Sequence, residues 1–139
     1  MNTTPATVRS VTKTVSIQRS VAEVFAFLVN PANWPAWAVV NVKAIEPTDD
    51  PDWWLMTTPH GPARLRIRGN AELGLLDHDY VEDQAAWQVP ARVVPNATGA
   101  EFMMTFFQPP AFTDAFFDEQ IALLDTELAT LKRILETGA

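Results

Sequence analysis

The sequence predicts an α+β domain in which seven antiparallel strands wrap around one long C-terminal helix. Three observations predict it. Apolar residues recur at helical spacing from about Thr113 to Glu136, short alternating segments arrive at hairpin spacing between residues 38 and 108, and two short helix starts follow the first strand.

Taken in order, residues 1–9 read as a loose N-terminal tail, and 10–139 as a single domain with no internal repeat or linker. Val11 to Gln18 alternates, with Val11, Lys13, Val15 and Ile17 on one face, as a half-buried strand does. Ser20 and Glu23 then stand at capping-box spacing before the apolar helix of Val24, Phe25, Phe27 and Leu28. Asn30-Pro31 restarts the chain as a second short helix, with asparagine as N-cap and proline in the first helical position. Trp34 and Trp37 lie on it.

Strands are expected over Val39–Glu46, Trp53–Thr58, Ala63–Asn70, Leu73–Glu82, Ala85–Val94 and Ala100–Gln108. Turns over 47–52, 59–62 and 95–99 separate several of them, rich in the proline, aspartate, asparagine and glycine that turns favour. A meander of this kind has one apolar face that must be covered. The final helix covers it through Phe117, Ile121, Leu124, Leu128, Leu131 and Leu135. Acidic residues (Asp114, Asp118, Glu119) precede basic ones (Lys132, Arg133) along it, the order that the helix dipole favours.

The bulk numbers bound the function. A chain of 139 residues, 47% hydrophobic and 19% charged, can bury a real core without staples. The absence of cysteine removes thiolate nucleophiles, disulfides and Cys-ligated zinc, and sits comfortably with a reducing cytoplasm. A formal net charge of -7 argues against nucleic acid and anionic lipid as partners. Met1 to Arg9 is polar, so no secretory leader is expected, and no apolar run suggests membrane insertion.

Motif searches mostly exclude. Serine occurs only at 10, 16 and 20, and Ser20 is used as a cap, leaving a Ser-His-Asp hydrolase no nucleophile. The five glycines form neither a dinucleotide fingerprint nor a phosphate loop. Asp77-His78-Asp79 has the residue types of a metal site, but alternation along a strand turns His78 away from both aspartates. Neither metal nor cofactor is expected.

The same alternation places Leu76, His78 and Tyr80 inward together, so that a histidine and the only tyrosine present polar tips inside an apolar chamber. They are read either as core residues bonded to each other and to backbone, or as ligand contacts, or as acid/base candidates for a proton alpha to a carbonyl. Trp34, Trp37, Leu65, Ile67 and Trp87 join them as candidate lining residues. Met104 and Phe106 come from the last strand, with Phe117, Leu124 and Leu128 from the helix. Arg64, Arg66 and Arg68 share the opposite face of their strand, as a solvated ion-pair face or as an anion site at the rim.

The order strand, two short helices, six strands, long helix is the helix-grip arrangement. Val15-Ser-Ile-Gln-Arg-Ser-Val-Ala-Glu-Val-Phe-Ala-Phe-Leu-Val-Asn-Pro-Ala-Asn-Trp-Pro-Ala-Trp37 resembles the N-terminal signature of the START-like superfamily known as SRPBCC. Arg92-Val-Val-Pro-Asn96, Glu101–Gln108 and Asp125–Glu136 resemble its polyketide cyclase/dehydrase-like branch. The resemblance implies a cavity between sheet and long helix that accepts a small hydrophobic or aromatic molecule, and it transfers no catalytic residue. A cofactor-independent cyclase or dehydratase using His78 and Tyr80 is the alternative. An interaction module without ligand, with a homodimer through a sheet face or edge, is the third reading.

Overall fold

The computed structural model describes residues 6–83 and 85–138. The first five residues of the expected tail lie outside the described residues, and residues 6–9 lead without regular structure into the first strand.

The elements follow in the expected order. They are β1 (Ser10–Ile17), α1 (Val21–Leu28), a 3-10 turn over Pro31–Asn33, α2 (Trp34–Trp37), β2 (Ala44–Pro47), β3 (Trp54–Thr58) and β4 (Gly61–Asn70). Then come β5 (Leu75–Val81), β6 (Ala86–Val89), β7 (Ala91–Asn96), β8 (Gly99–Phe107) and α3 (Asp114–Thr137). Every strand pairing is antiparallel. The sheet runs β1-β8-β7-β5-β4-β3-β2, with β6 paired to β5. The two edge strands are therefore β1 and β2, and α1 and α2 connect them.

Side-chain caps open α1, the 3-10 turn and α3. The Ser20 hydroxyl accepts from the Glu23 amide at 3.2 Å, and Asn30 Oδ1 from the Ala32 amide at 3.1 Å. Thr113 opens α3 by accepting from the Phe116 amide at 3.1 Å. α3 ends at Gly138, whose φ of 75° is left-handed and whose amide returns to the Ile134 carbonyl at 2.7 Å. Arg19, reaching over from the β1–α1 turn, donates to the carbonyls of Leu135 and Glu136 and so supplies a cation at the negative end of α3.

Three strand expectations need correction. The predicted strand Ala85–Val94 is two strands, so the described sheet has eight rather than seven. Pro90 has no amide to give the ladder, and the break falls there. The register survives, since His78 faces Val89 and Leu75 faces Arg92. The Asp77 carboxylate takes up the Ala91 amide at 2.9 Å just past the break.

The predicted strand Val39–Glu46 forms only from Ala44. Residues 38–43 make a turn instead, held by the Val42 amide on the Ala38 carbonyl and by a carboxylate from α3 described below. The strand from Leu73 starts later, because Gly74 turns left-handed at φ 68°. A Cβ there would lie 2.2 Å from the Val93 carbonyl oxygen, which only glycine avoids.

The core lies between the sheet's concave face and α3. Phe117 and Leu131 are fully buried on the helix, as are Met56, Leu65 and Ala100 on the strands. The outer face carries the arginines in their solvated, paired arrangement. Arg66 and Arg68 both bond the buried Asp79 carboxylate, at 2.8–2.9 Å and 3.2–3.3 Å, while Arg64 and Arg66 stack on Trp53.

Burial alone would raise the Asp79 carboxyl, but these arginine hydrogen bonds outweigh it and hold it below the ordinary carboxylate value. A carboxyl lowered on folding contributes stability above its unfolded pKa and loses it as pH falls through the lowered value. Asp79→Asn should therefore cost about 1–2 kcal/mol at neutral pH, and less as the solution is acidified. Urea denaturation of both proteins at pH 7 and pH 3 measures the difference, and a pH-independent gap would show that the charge is not what matters.

Candidate functional site

A cavity of about 60 Å³ opens under α3, between the helix, the turn after α2 and the concave face of β5, β6 and β8. Strand pairing builds its floor. His78 on β5 faces Val89 on β6, and two residues along Tyr80 faces Trp87, so these four side chains form two adjacent inward rows. Met104 and Phe106 extend the floor on β8, two residues apart on its inward face. Trp34 and Trp37 close one end, held by the short helix. Trp34 Nε1 donates to the Leu28 carbonyl at 2.9 Å, and the two indoles meet edge to face at 5.1 Å.

Of the residues expected to line a chamber, Trp34, Trp37, His78, Tyr80, Trp87, Met104, Phe106 and Leu124 do so. Leu65, Phe117 and Leu128 do not, because they are packed into solid core, Leu65 and Phe117 without any exposure. Ile67 faces His78 across the β4–β5 pair but contributes no wall. Asp77 and Asp79 point to the outer face, engaged by the Ala91 amide and by arginines, so Asp77-His78-Asp79 does not converge. No cluster that could hold a metal exists among the described residues. The arginine trio likewise lies on the far side of the sheet from the cavity, which removes the anion site at the rim.

Three polar wall residues escaped the sequence reading: Asn41, Gln120 and Glu127. Glu127 is the most consequential. It is 2% exposed, and its carboxylate accepts from the amides of Val40 (3.1 Å) and Asn41 (2.9 Å) and from Asn41 Nδ2 (3.0 Å). One helix side chain thus holds the 38–43 turn against the cavity. The signal was present: Glu127 is three residues after Leu124 and four before Leu131, on the apolar face by spacing.

The electrostatics of the two inward polar rings are set by burial. His78 is 4% exposed, and burial lowers its pKa to about 4 against the opposing bond to Leu76. At neutral pH the ring is uncharged. A carbonyl can only accept, so the 3.0 Å contact with the Leu76 oxygen places the proton on Nδ1 and leaves Nε2 as an acceptor. Burial, helped by the Glu82 charge, raises Tyr80 well above an ordinary phenol, so it keeps its proton. A base this weak beside an acid this reluctant is poorly matched to proton transfer near neutrality.

An aromatic cluster flanks the chamber. Tyr80 meets Trp87 at 5.7 Å, Trp87 meets Phe112 at 5.5 Å, and Phe112 meets Phe116 at 4.6 Å. Trp87 Nε1 is tied to the Phe107 carbonyl at 3.0 Å.

This architecture is shared with solved structures. A crystal structure of a Bacillus thuringiensis protein superposes with a TM-score of 0.73 at 13% identity, covering 91% of this chain and 98% of that one. The fold is the START-like, helix-grip arrangement. The Aha1 dimer from Colwellia psychrerythraea matches with a TM-score of 0.72 at 11% identity, over 94% of this chain and 98% of its own. DynU16, a protein of the dynemicin biosynthetic locus, matches at 0.68 and 18%, over 93% of this chain and 48% of its own. No family model matches the sequence, and no curated protein matches it. Identities this low carry the START-like fold and nothing of the activity. Among the described residues no helix is long and apolar enough to cross a membrane.

Proposed function

We propose that this START-like domain binds a small apolar or aromatic molecule in the cavity beneath α3. The supporting observation is the cavity itself: a void at the sheet–helix interface whose walls are mainly indole, phenyl and aliphatic groups, with a few inward polar atoms. Packed interiors leave few voids larger than a water molecule, so a space of this size beside a buried histidine and carboxylate supports a binding role.

At about 60 Å³ the space is far below the roughly 300–1,000 Å³ of ordinary ligand pockets. The guest is therefore small, or the chamber widens as it enters. Widening needs movement of the Trp87–Phe112–Phe116 cluster, whose members are only half-buried.

Ile121 lines the cavity from α3, and Ile121→Phe should fill much of it. In a titration with small aromatic probes such as toluene and indole, followed by NMR shifts of cavity residues, the variant should bind at least about tenfold more weakly, a loss of roughly 1.4 kcal/mol. Its unfolding should stay cooperative. Equal binding by both proteins would place the guest elsewhere and end this reading. So would a parent protein that binds no probe at all.

A further inference from the structure

Two residues of the cavity wall, Trp37 and His78, each carry a ring nitrogen that has no hydrogen bond among the described residues. Trp37 Nε1–H is buried without a partner, and Trp37 is 2% exposed. His78 gives Nδ1–H to Leu76, and among the described residues nothing bonds its Nε2. A buried donor left unmet, as Trp37 Nε1–H is, points to a missing partner, while His78 Nε2 is an unbonded acceptor that is not wholly shut off from the cavity space. Both residues line the same small space.

We propose that the guest of this cavity is a neutral molecule carrying a hydroxyl on an apolar or aromatic body, with that hydroxyl donating to His78 Nε2. The proposal rests on the reading of the cavity as a ligand site and names the class of ligand. Three observations narrow it.

First, the tautomer fixed by Leu76 makes Nε2 an acceptor, so the ligand must bring a donor; ketones and ethers cannot. Burial keeps the ring uncharged throughout the neutral range, so this preference is constant there. Second, no lysine or arginine lines the cavity, and its one charged wall residue is Glu127. A carboxylate guest would lose its hydration with no cation to replace it, which is prohibitive. Third, a cationic guest gains little from Glu127, whose oxygens already accept three hydrogen bonds from residues 40 and 41.

A hydroxyl both donates and accepts. With its proton given to His78, its oxygen still keeps acceptor capacity for a wall donor. The apolar remainder packs against Val89, Met104, Phe106 and Leu124.

Phenol, toluene and benzoate test the idea, because they share a ring and differ in the group offered to His78. NMR titration of the intact chain should give phenol about tenfold tighter binding than toluene, the worth of one well-formed hydrogen bond, with benzoate giving no shifts at cavity residues. In His78→Leu the preference for phenol should collapse to about one while toluene still binds. Should that variant fail to fold, the His78 Nε2 nitrogen shift in the parent protein carries the test, moving with phenol and staying still with toluene.

Toluene binding as tightly as phenol, or benzoate binding best, would overturn the hydroxyl assignment and leave the ligand site standing. A phenol preference that survives in His78→Leu would overturn the role of His78. Binding of none of the three would overturn the ligand site and this inference together.

Discussion

Phe117→Ala should lower the stability of the domain by about 4 kcal/mol, the range for deleting a fully buried phenylalanine. The residue has no exposed surface and sits in the first turns of α3, where the helix first meets the sheet. Its ring also carries the Arg9 guanidinium at 5.0 Å, and Arg9 pairs with Asp118 one residue on. The substitution therefore removes core volume and one face of the contact that ties the start of β1 to α3. Helical propensity is not at issue, since alanine favours helix, so the loss comes from packing and from the Arg9 contact. For a chain of this size the melting temperature should fall by roughly 12 °C. Urea denaturation monitored by tryptophan fluorescence gives the number. A loss under about 1 kcal/mol would mean that α3 relaxes into the space left behind and that the lid is more plastic than its packing implies.

The element order was legible from the chain because it depends on local signals. Ser20, Asn30 and Thr113 are capping residues that mark helix starts, and all three cap by accepting a backbone amide. The stripe from Phe117 to Leu131 is buried as its spacing requires. Where the expectation failed, a non-local contact had overridden the local pattern. Val39 to Lys43 is apolar enough for a strand, yet the amides of Val40 and Asn41 go to Glu127, more than eighty residues later. The alternation through Ala85–Val94 hides the effect of Pro90, because the register is the same on both sides of the break.

The candidate site was half legible for a similar reason. Strand parity correctly turns His78 and Tyr80 inward and the aspartates outward, and a single alternation argument suffices for that. Parity cannot separate cavity wall from solid core. Leu65 and Tyr80 are cross-strand neighbours on one face, yet only Tyr80 borders the void. That difference depends on how side chains from three layers fill a volume, which spacing does not encode. The polar wall was missed because a glutamate on a helix reads as surface unless its phase against the apolar stripe is counted.

Glu127→Ala should cost about 3 kcal/mol, because three N–H donors of the 38–43 turn lose their shared acceptor and two are main-chain groups with no other partner among the described residues. Glu127→Gln keeps one acceptor oxygen and should cost within about 1 kcal/mol. The pH dependence separates charge from shape. Burial raises the Glu127 carboxyl above the ordinary carboxylate value, and the bonds from Asn41 and Val40 only partly oppose this. Between the unfolded value and the raised folded one, the folded state holds the extra proton. The stability tied to that proton is complete below the unfolded pKa and is lost as pH rises through the folded one. Asp79, Glu101 and Glu136 are lowered instead and act in the opposite direction, losing stability on acidification. Glutamine removes only the Glu127 contribution. The stability of Glu127→Gln relative to the parent should therefore rise with pH above the ordinary carboxylate range, as read from urea midpoints at a series of pH values. A relative stability that falls instead would mean that the turn amides hold Glu127 as an anion more strongly than burial opposes it. Since Ala38, Asn41 and Val42 on this turn are cavity walls, the same titration reports how firmly one end of the chamber is shut.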